Sequence, residues 1–469
     1  MKSPLILLTS SLLLAATSVA AIGPDYHRPD VPTPVAWKQA APAEVLPRGE
    51  WWKAYNDSAL DDLMARALSA NQTLAAAAAR VEQARAAAGV ARSNYLPSVG
   101  LNPSVNRARS SETTDNKFPV AETTTYRASL DASWELDLFG RVRRLNEGAR
   151  AEVSASAADF ENVRLALTAE VASSYFSLWA IDRETAIVSD GIALRRKALE
   201  LVHSRRTNAA ATDFDVARAE AELASTEADA AALANRRASL QNALAVLLGE
   251  AAPNFELSTL TARLSMVPAI PAGLPSELLE RRPDIASAES ALAASNARIG
   301  VAKAAFFPAV SLTGSFGQAS GDIDRLFNSD SRLWSIGPSL YLPIFQGGRN
   351  RANLARSRAA FDESVALFRQ RVLVAFREVQ DALTATQFLA DQAAAQDRVV
   401  AAARRAGELA QTRYDAGYVN YFEVIDAQRT VLTAERASAQ LSAQRLVNSV
   451  GLIKALGGGW ERPASVATN

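Results

Sequence analysis

"TYRASLDASWELDLFGR", residues 125–141, alternates without a miss. Tyr126, Ala128, Leu130, Ala132, Trp134 and Leu136 fall on one side, and Arg127, Ser129, Asp131, Ser133, Glu135 and Asp137 on the other. A period of two belongs to a strand with one dry face and one wet face. Shorter stretches repeat the pattern: Val99, Leu101 and Val105 after Pro97, then Val310, Leu312 and Phe316 after Pro308, then Trp334, Ile336, Leu340 and Leu342 before Phe345. Four strands per chain are predicted. Tyr95, Phe139, Phe306, Phe307 and Phe345 sit near their ends, as in the aromatic girdles of a transmembrane β-barrel. Alternation alone fits a soluble sheet as well as a sheet facing lipid.

The rest of the chain reads as helix. No proline occurs between Pro119 and Pro253 or between Pro343 and Pro463, and a helix interior excludes proline because its ring clashes and its donor is missing. Within the first tract Val216, Ala219, Leu223, Thr226, Ala230, Leu233, Arg237, Leu240, Leu244 and Leu247 keep a three-four spacing, the seam of a coiled coil. The second tract repeats the first. "ATDFDVARAEAEL" at 211–223 matches "VNYFEVIDAQRTV" at 419–431, and "GVARSNYLPSVGL" at 89–101 matches "GVAKAAFFPAVSL" at 300–312. A whole structural half has been duplicated.

Composition removes several function classes. Lysine plus arginine equal aspartate plus glutamate at 50 each, so no basic surplus points to nucleic acid. There is no cysteine, and the two histidines, His27 and His203, are far apart, which argues against thiolate chemistry and histidine metal sites. No phosphate-binding glycine loop or nucleophile elbow is present, and an enzyme is not expected.

Lys2 precedes the apolar run "LILLTSSLLLAATSVA", which ends in small residues, so residues 1–20 read as a secretory signal cut at Ala20 or Ala21. No later stretch reaches the roughly 18 apolar residues of a membrane helix. A mature chain that crosses a membrane must therefore use its strands. Four strands cannot close around a lumen, and an open sheet edge cannot face hydrocarbon, so such a chain must oligomerise, as a dimer with eight strands or a trimer with twelve. An exported periplasmic coiled-coil scaffold is the alternative, although it has no need of paired alternating strands.

Several motifs in order carry a family resemblance. They are "GPDYHRP" at 23–29, "WWKAYNDSALDDLMARALSANQTLAAAAARVEQARA" at 51–86, "LDLFGRVRR" at 136–144, "GLPSELLERRPDI" at 273–285 and "RYDAGYVNYFEVIDAQRT" at 413–430. The chain resembles the TolC-like outer-membrane efflux proteins of the NodT type, over nearly all of its mature length. The resemblance implies a mainly α protein with a transmembrane β part, a homotrimer whose 12-stranded β-barrel is continued by a long α-helical barrel. It implies the exit duct of a tripartite pump, with a periplasmic adaptor, an inner-membrane pump of the resistance-nodulation-division class, outer-membrane lipid around the barrel, and no cofactor. Many members carry a lipidated cysteine three residues before the glycine of "GPDY"; here that place is Ala20, and an unacylated N-terminus near Ala21 is expected.

The expected organisation is a signal at 1–20, a periplasmic segment at 21–56, a first repeat at 57–265, a second at 266–460 and a tail at 461–469. Strands are expected at about 97–112, 123–139, 308–320 and 332–345, and long helices at about 143–205, 212–248, 348–416 and 420–456. The lumen face is expected to carry Arg127, Ser129, Asp131, Ser133 and Glu135, with Ser129 tolerant of arginine; the lipid face, Tyr126, Leu130, Trp134, Leu136, Leu312, Trp334, Ile336 and Leu340. The resemblance places a periplasmic gate at Tyr414 and Gly417 before a turn and at Phe422, Glu423 and Asp426 after it, with Asp215 and Arg218 in the matching first repeat. Phe422 and Asp426 are i and i+4, hence on one helix face. Closure is expected from the acids and Phe422, with an ion pair between neighbouring helices. Val419 stands where some members have a basic latch residue.

Overall fold

The structure, a computed structural model, describes residues 21–39, 49–111, 122–260 and 267–462. The expected signal, Ala20 included, and the tail beyond 462 lie outside these residues. In chain order the elements are α1 (Ser58–Ala70), α2 (Gln72–Ser93), β1 (Ser98–Arg109), β2 (Glu122–Leu136), α3 (Arg141–Thr207), α4 (Asp213–Leu247), α5 (Pro275–Arg281), α6 (Pro283–Ala304), β3 (Ala309–Ser320), β4 (Arg332–Tyr341), α7 (Arg349–Asp415) and α8 (Tyr421–Ala455). The duplication is nearly residue for residue. Helices α3 and α7 have 67 residues each, α4 and α8 have 35 each, and both pairs start 208 positions apart.

The chain forms two compact units. The first holds the described residues within 21–28, 84–153 and 290–365, and its centre is one antiparallel sheet in the order β1-β2-β3-β4. Strand β2 ends at Leu136 rather than 139 because the Asp137 carboxylate accepts from the Arg143 backbone N–H at 2.8 Å and opens α3. Strand β4 ends at Tyr341 rather than 345, two residues before Pro343, which has no amide to donate to a ladder. Residues Ala21 to Asp25 are fastened to this unit. Ile22 donates its N–H to Phe139 O at 3.2 Å, and buried Arg144 donates to Asp25 Oδ1 at 2.7 Å. A Cβ at Gly317 would lie 2.2 Å from Ala128 O and 2.6 Å from Ser129 Cα, so only glycine permits this approach of β3 to β2.

The second unit holds the described residues within 29–83, 154–289 and 366–462. Asp57 caps α1 by accepting from Ala59 N and Leu60 N, and the helix buries Leu60, Leu63, Met64 and Ala67 at three-four spacing. These meet Trp51, Trp52, Tyr55, Tyr175, Phe176, Leu244 and Ile453 in the main core. Burial pushes the Tyr55 hydroxyl, which sits 2.6 Å from Ser449 Oγ, up to about 12. Along α4 the expected seam is the less exposed side, with Ala219, Thr226, Leu233 and Leu244 buried.

The turns after α3 and α7 share one design. Ala210 N donates to Arg205 O and Ala209 N to Arg206 O, while Tyr418 N donates to Arg413 O and Gly417 N to Tyr414 O, the paired bonds of a Schellman C-cap. That cap needs a left-handed residue. Gly417 supplies it at φ +78°, whereas its counterpart 208 positions earlier is Ala209 at φ +53°. A left-handed non-glycine residue costs roughly 1–2 kcal/mol. Ala209→Gly is therefore expected to stabilise the fold by about 1 kcal/mol, read as a higher thermal midpoint in detergent; an unchanged or lower midpoint would show that the turn stores no strain.

Candidate functional site

Register carries the alternation of β2 across all four strands. Leu130 lies level with Leu101 and Phe316, and Phe316 with Trp334; Leu136 lies level with Val310, and Val310 with Leu340. Trp134 pairs with Leu312, Tyr126 with Val105, and Ile336 with Gly314. At these positions one face is apolar across all four strands. It is uncovered within the chain, with Trp334 71% and Ile336 70% exposed. Trp134 keeps its one polar atom satisfied by donating Nε1–H to Tyr95 O at 3.0 Å. A continuous exposed apolar face of this kind calls for an apolar environment.

The opposite face is polar and small. Asp131 lies level with Gly100 and Ser315, Arg127 with Ser104 and Ala319, and Glu135 with Ser311. Asn102 donates to Asp131 Oδ2 at 2.5 Å, and the Glu135 carboxylate accepts two bonds from Arg141 at 2.7 and 2.6 Å. Ser133 is exposed. Ser129 differs: it is 3% exposed, its Cα faces Gly317, and its hydroxyl donates to Asp131 Oδ2 at 3.3 Å. The expectation that Ser129 would accept an arginine is corrected here, because no space is left for one; Ser133 is the open position.

At the far ends of the long helices the turns bring the expected gate residues together. Tyr414 is buried, its ring centroid 5.4 Å from that of Tyr421, in a small core with Val202, Ala219, Val424 and Ile425, and Val419 packs against the same core. Burial raises the Tyr414 hydroxyl above its ordinary value and takes that of Tyr421 to about 12. Two arginines of the first hairpin lie over rings of the second. Arg205 Cζ is 4.1 Å from the Tyr414 ring centre and Arg218 Cζ is 4.0 Å from that of Phe422. Each is a cation–π contact.

The acids have other employments. Asp215 closes a capping box at the start of α4, accepting from the Thr212 N–H at 2.9 Å and hydroxyl at 2.8 Å, and these bonds hold its carboxyl below the usual range. Glu423 lies 4.0 Å from Arg413 in an exposed pair. Asp426 is exposed, and among the described residues its carboxylate has no cationic partner within the chain; Arg218 is spent on Phe422 instead. The geometry thus shifts the weight at the tip from acids to arginine and aromatic rings. Arg205 escaped the sequence reading because its partner is more than 200 residues away. One signal was present: it is the repeat counterpart of Arg413, inside the matched turn.

Among the described residues no helix is long and apolar enough to cross a membrane. The sequence model of the family described as outer membrane efflux protein matches residues 63–250 and 274–458, one match per repeat. The chain is 37% identical to outer membrane protein OprJ of Pseudomonas aeruginosa over 471 residues, covering 98% of this chain and 97% of OprJ. It is 34% identical to the cation efflux system protein CusC of Escherichia coli, covering 98% of this chain and all of CusC at 100%. The open state of the MtrE outer membrane channel of Neisseria gonorrhoeae superposes with a TM-score of 0.82 at 31% identity, over 94% of this chain and 99% of MtrE. Matched in both repeats and along nearly its whole length, the chain belongs to the outer membrane efflux protein family, and it is an outer-membrane channel of an efflux system.

Proposed function

We propose that three copies of the chain close a twelve-stranded barrel in the outer membrane, apolar face to lipid and polar face to a water-filled lumen, while the helices form a periplasmic tube. One observation carries this reading. The sheet has two free edges, β1 and β4, beside an uncovered apolar face. A free edge leaves amide and carbonyl groups without partners, which a hydrocarbon core does not allow, so the edges must be joined by other copies. Eight strands would give a barrel filled by its own side chains, and twelve leave room for solutes. The duct is passive and does no bond chemistry. A periplasmic adaptor and an inner-membrane pump of the resistance-nodulation-division class deliver the cargo and the energy. Native mass spectrometry of the detergent-extracted protein is expected to give the mass of three chains; a two-chain mass, or recovery in the soluble fraction, overturns the proposal.

The same reading assigns the α3–α4 and α7–α8 turns to the periplasmic constriction. Tyr414, Phe422 and Arg218 hold the second hairpin against the first, and Gly417 sets the turn. Glu423 and Asp426 supply negative charge at the entrance, and Asp215 maintains the opposing helix start. Arg127, Asp131, Ser133 and Glu135 line the lumen.

A further inference from the structure

Within the helical unit, α3, α7 and α8 line an open-sided pocket of about 530 Å³. Ile187 and Leu194 of α3 and Val431 and Leu432 of α8 supply its apolar lining. The volume lies in the range of about 300–1,000 Å³ found for small-molecule pockets, which combine apolar walls with a few placed polar groups.

The polar group of interest is Arg195. Its residue is 6% exposed, it lines the pocket, and among the described residues its one hydrogen bond runs from Nη1 to Gly191 O of its own helix at 3.3 Å. A guanidinium has five N–H donors, and taking its charge out of water is costly unless an anion meets it. No carboxylate of the described residues forms an ion pair with it. The acids nearby are committed or wet: Glu435 accepts from Arg404 at 2.7 Å, Glu222 is paired with Arg429, and Asp190 and Glu408 are exposed. Burial correspondingly pulls the Arg195 guanidinium below its ordinary value.

We propose that this pocket binds one amphiphilic monoanion per chain, with a carboxylate or sulfonate head on Arg195 and a compact apolar body against Ile187, Leu194, Val431 and Leu432. The lining includes no strand residue and none of the expected gate residues, although Gln411 and Thr412 lie just before Tyr414 on α7. An anionic head supplies the acceptors that Arg195 lacks, and the apolar body removes the walls from water. A neutral ligand of the same shape gains only the second of these.

The test uses the full-length protein in lipid nanodiscs, titrated calorimetrically with 2-naphthoate and with the neutral isostere 2-naphthamide, against empty nanodiscs. Saturable naphthoate binding at one per chain is expected, at least tenfold tighter than naphthamide. Arg195→Gln should erase that preference, and Leu432→Trp, which fills the pocket and keeps the arginine, should abolish binding of both. Equal affinity for the two probes in the unaltered protein, or a preference that survives Arg195→Gln, overturns the proposal. If Arg195→Gln fails to assemble, the two-probe comparison in the unaltered protein and Leu432→Trp decide between the outcomes.

Discussion

Phe422→Ala and Arg218→Ala are each expected to raise the open-to-closed ratio of the channel in planar bilayers roughly hundredfold. The two side chains form one contact, with the guanidinium carbon 4.0 Å from the ring centre, and they lie on α8 and α4, so the contact ties one hairpin to the other. A cation–π pair is worth about 0.5–1 kcal/mol when exposed and about 2 kcal/mol when desolvated. Phe422 is 46% exposed, which places the pair near 1 kcal/mol. Three copies acting together in the proposed trimer contribute about 3 kcal/mol, and each 1.4 kcal/mol is a factor of ten. Because both substitutions break the same contact, the double variant should go little further than either single one. Asp426→Ala has no such partner to release and should instead weaken cation preference at the entrance. Dwell times in single-channel recordings check all three, with trimer yield as the control. Unchanged open probability in both single variants would remove this contact from the gate.

Leu130→Arg is expected to cost about 2–4 kcal/mol per chain, the penalty of arginine near the midplane of a lipid-facing strand. Leu130 is half exposed and flanked by Leu101 and Phe316, so an arginine there would carry its five donors out from the apolar face. Ser133→Arg, three residues along and on the polar face, should assemble with little loss. Ser129→Arg should fail for a different reason, since Gly317 presses against its Cα. Yield of heat-resistant oligomer from outer membranes separates these cases. Equal damage from Leu130→Arg and Ser133→Arg would reverse or void the assignment of the two faces.

The strands were legible because backbone geometry enforces a period of two, and β2 fills that pattern for eleven consecutive residues. Helix existence was legible from the absence of proline, and the internal repeat from matched segments, of which 211–223 and 419–431 begin helices of equal length. Strand ends were less so: Asp137 continues the alternation of β2 on paper, yet its carboxylate is better used at the start of α3. The tip shows the same limit in chemical form. Asp215 and Glu423 align between repeats and invite a common role, but Thr212 offers Asp215 a capping box while Asn420, at the matching place, makes no side-chain cap. Which aromatic ring an arginine will cover depends on contacts spanning more than 200 residues, and no local pattern encodes that. The burial of Ser129 likewise comes from a glycine on another strand.

The equal helix lengths make the chain a ruler with constraints on how it can be recalibrated. Seven residues inserted in one long helix would displace its end by about 10 Å along the axis. Arg205 would then leave Tyr414 and Arg218 would leave Phe422, so growth confined to one limb would unmake the tip contacts. Only whole heptads keep the seam on the buried side, since other insertions rotate it toward solvent. Length variation among homologous ducts should therefore come as matched heptads in all four limbs, at positions 208 residues apart in this numbering. A duct that has to meet a taller or shorter partner can reach it only in steps of that size.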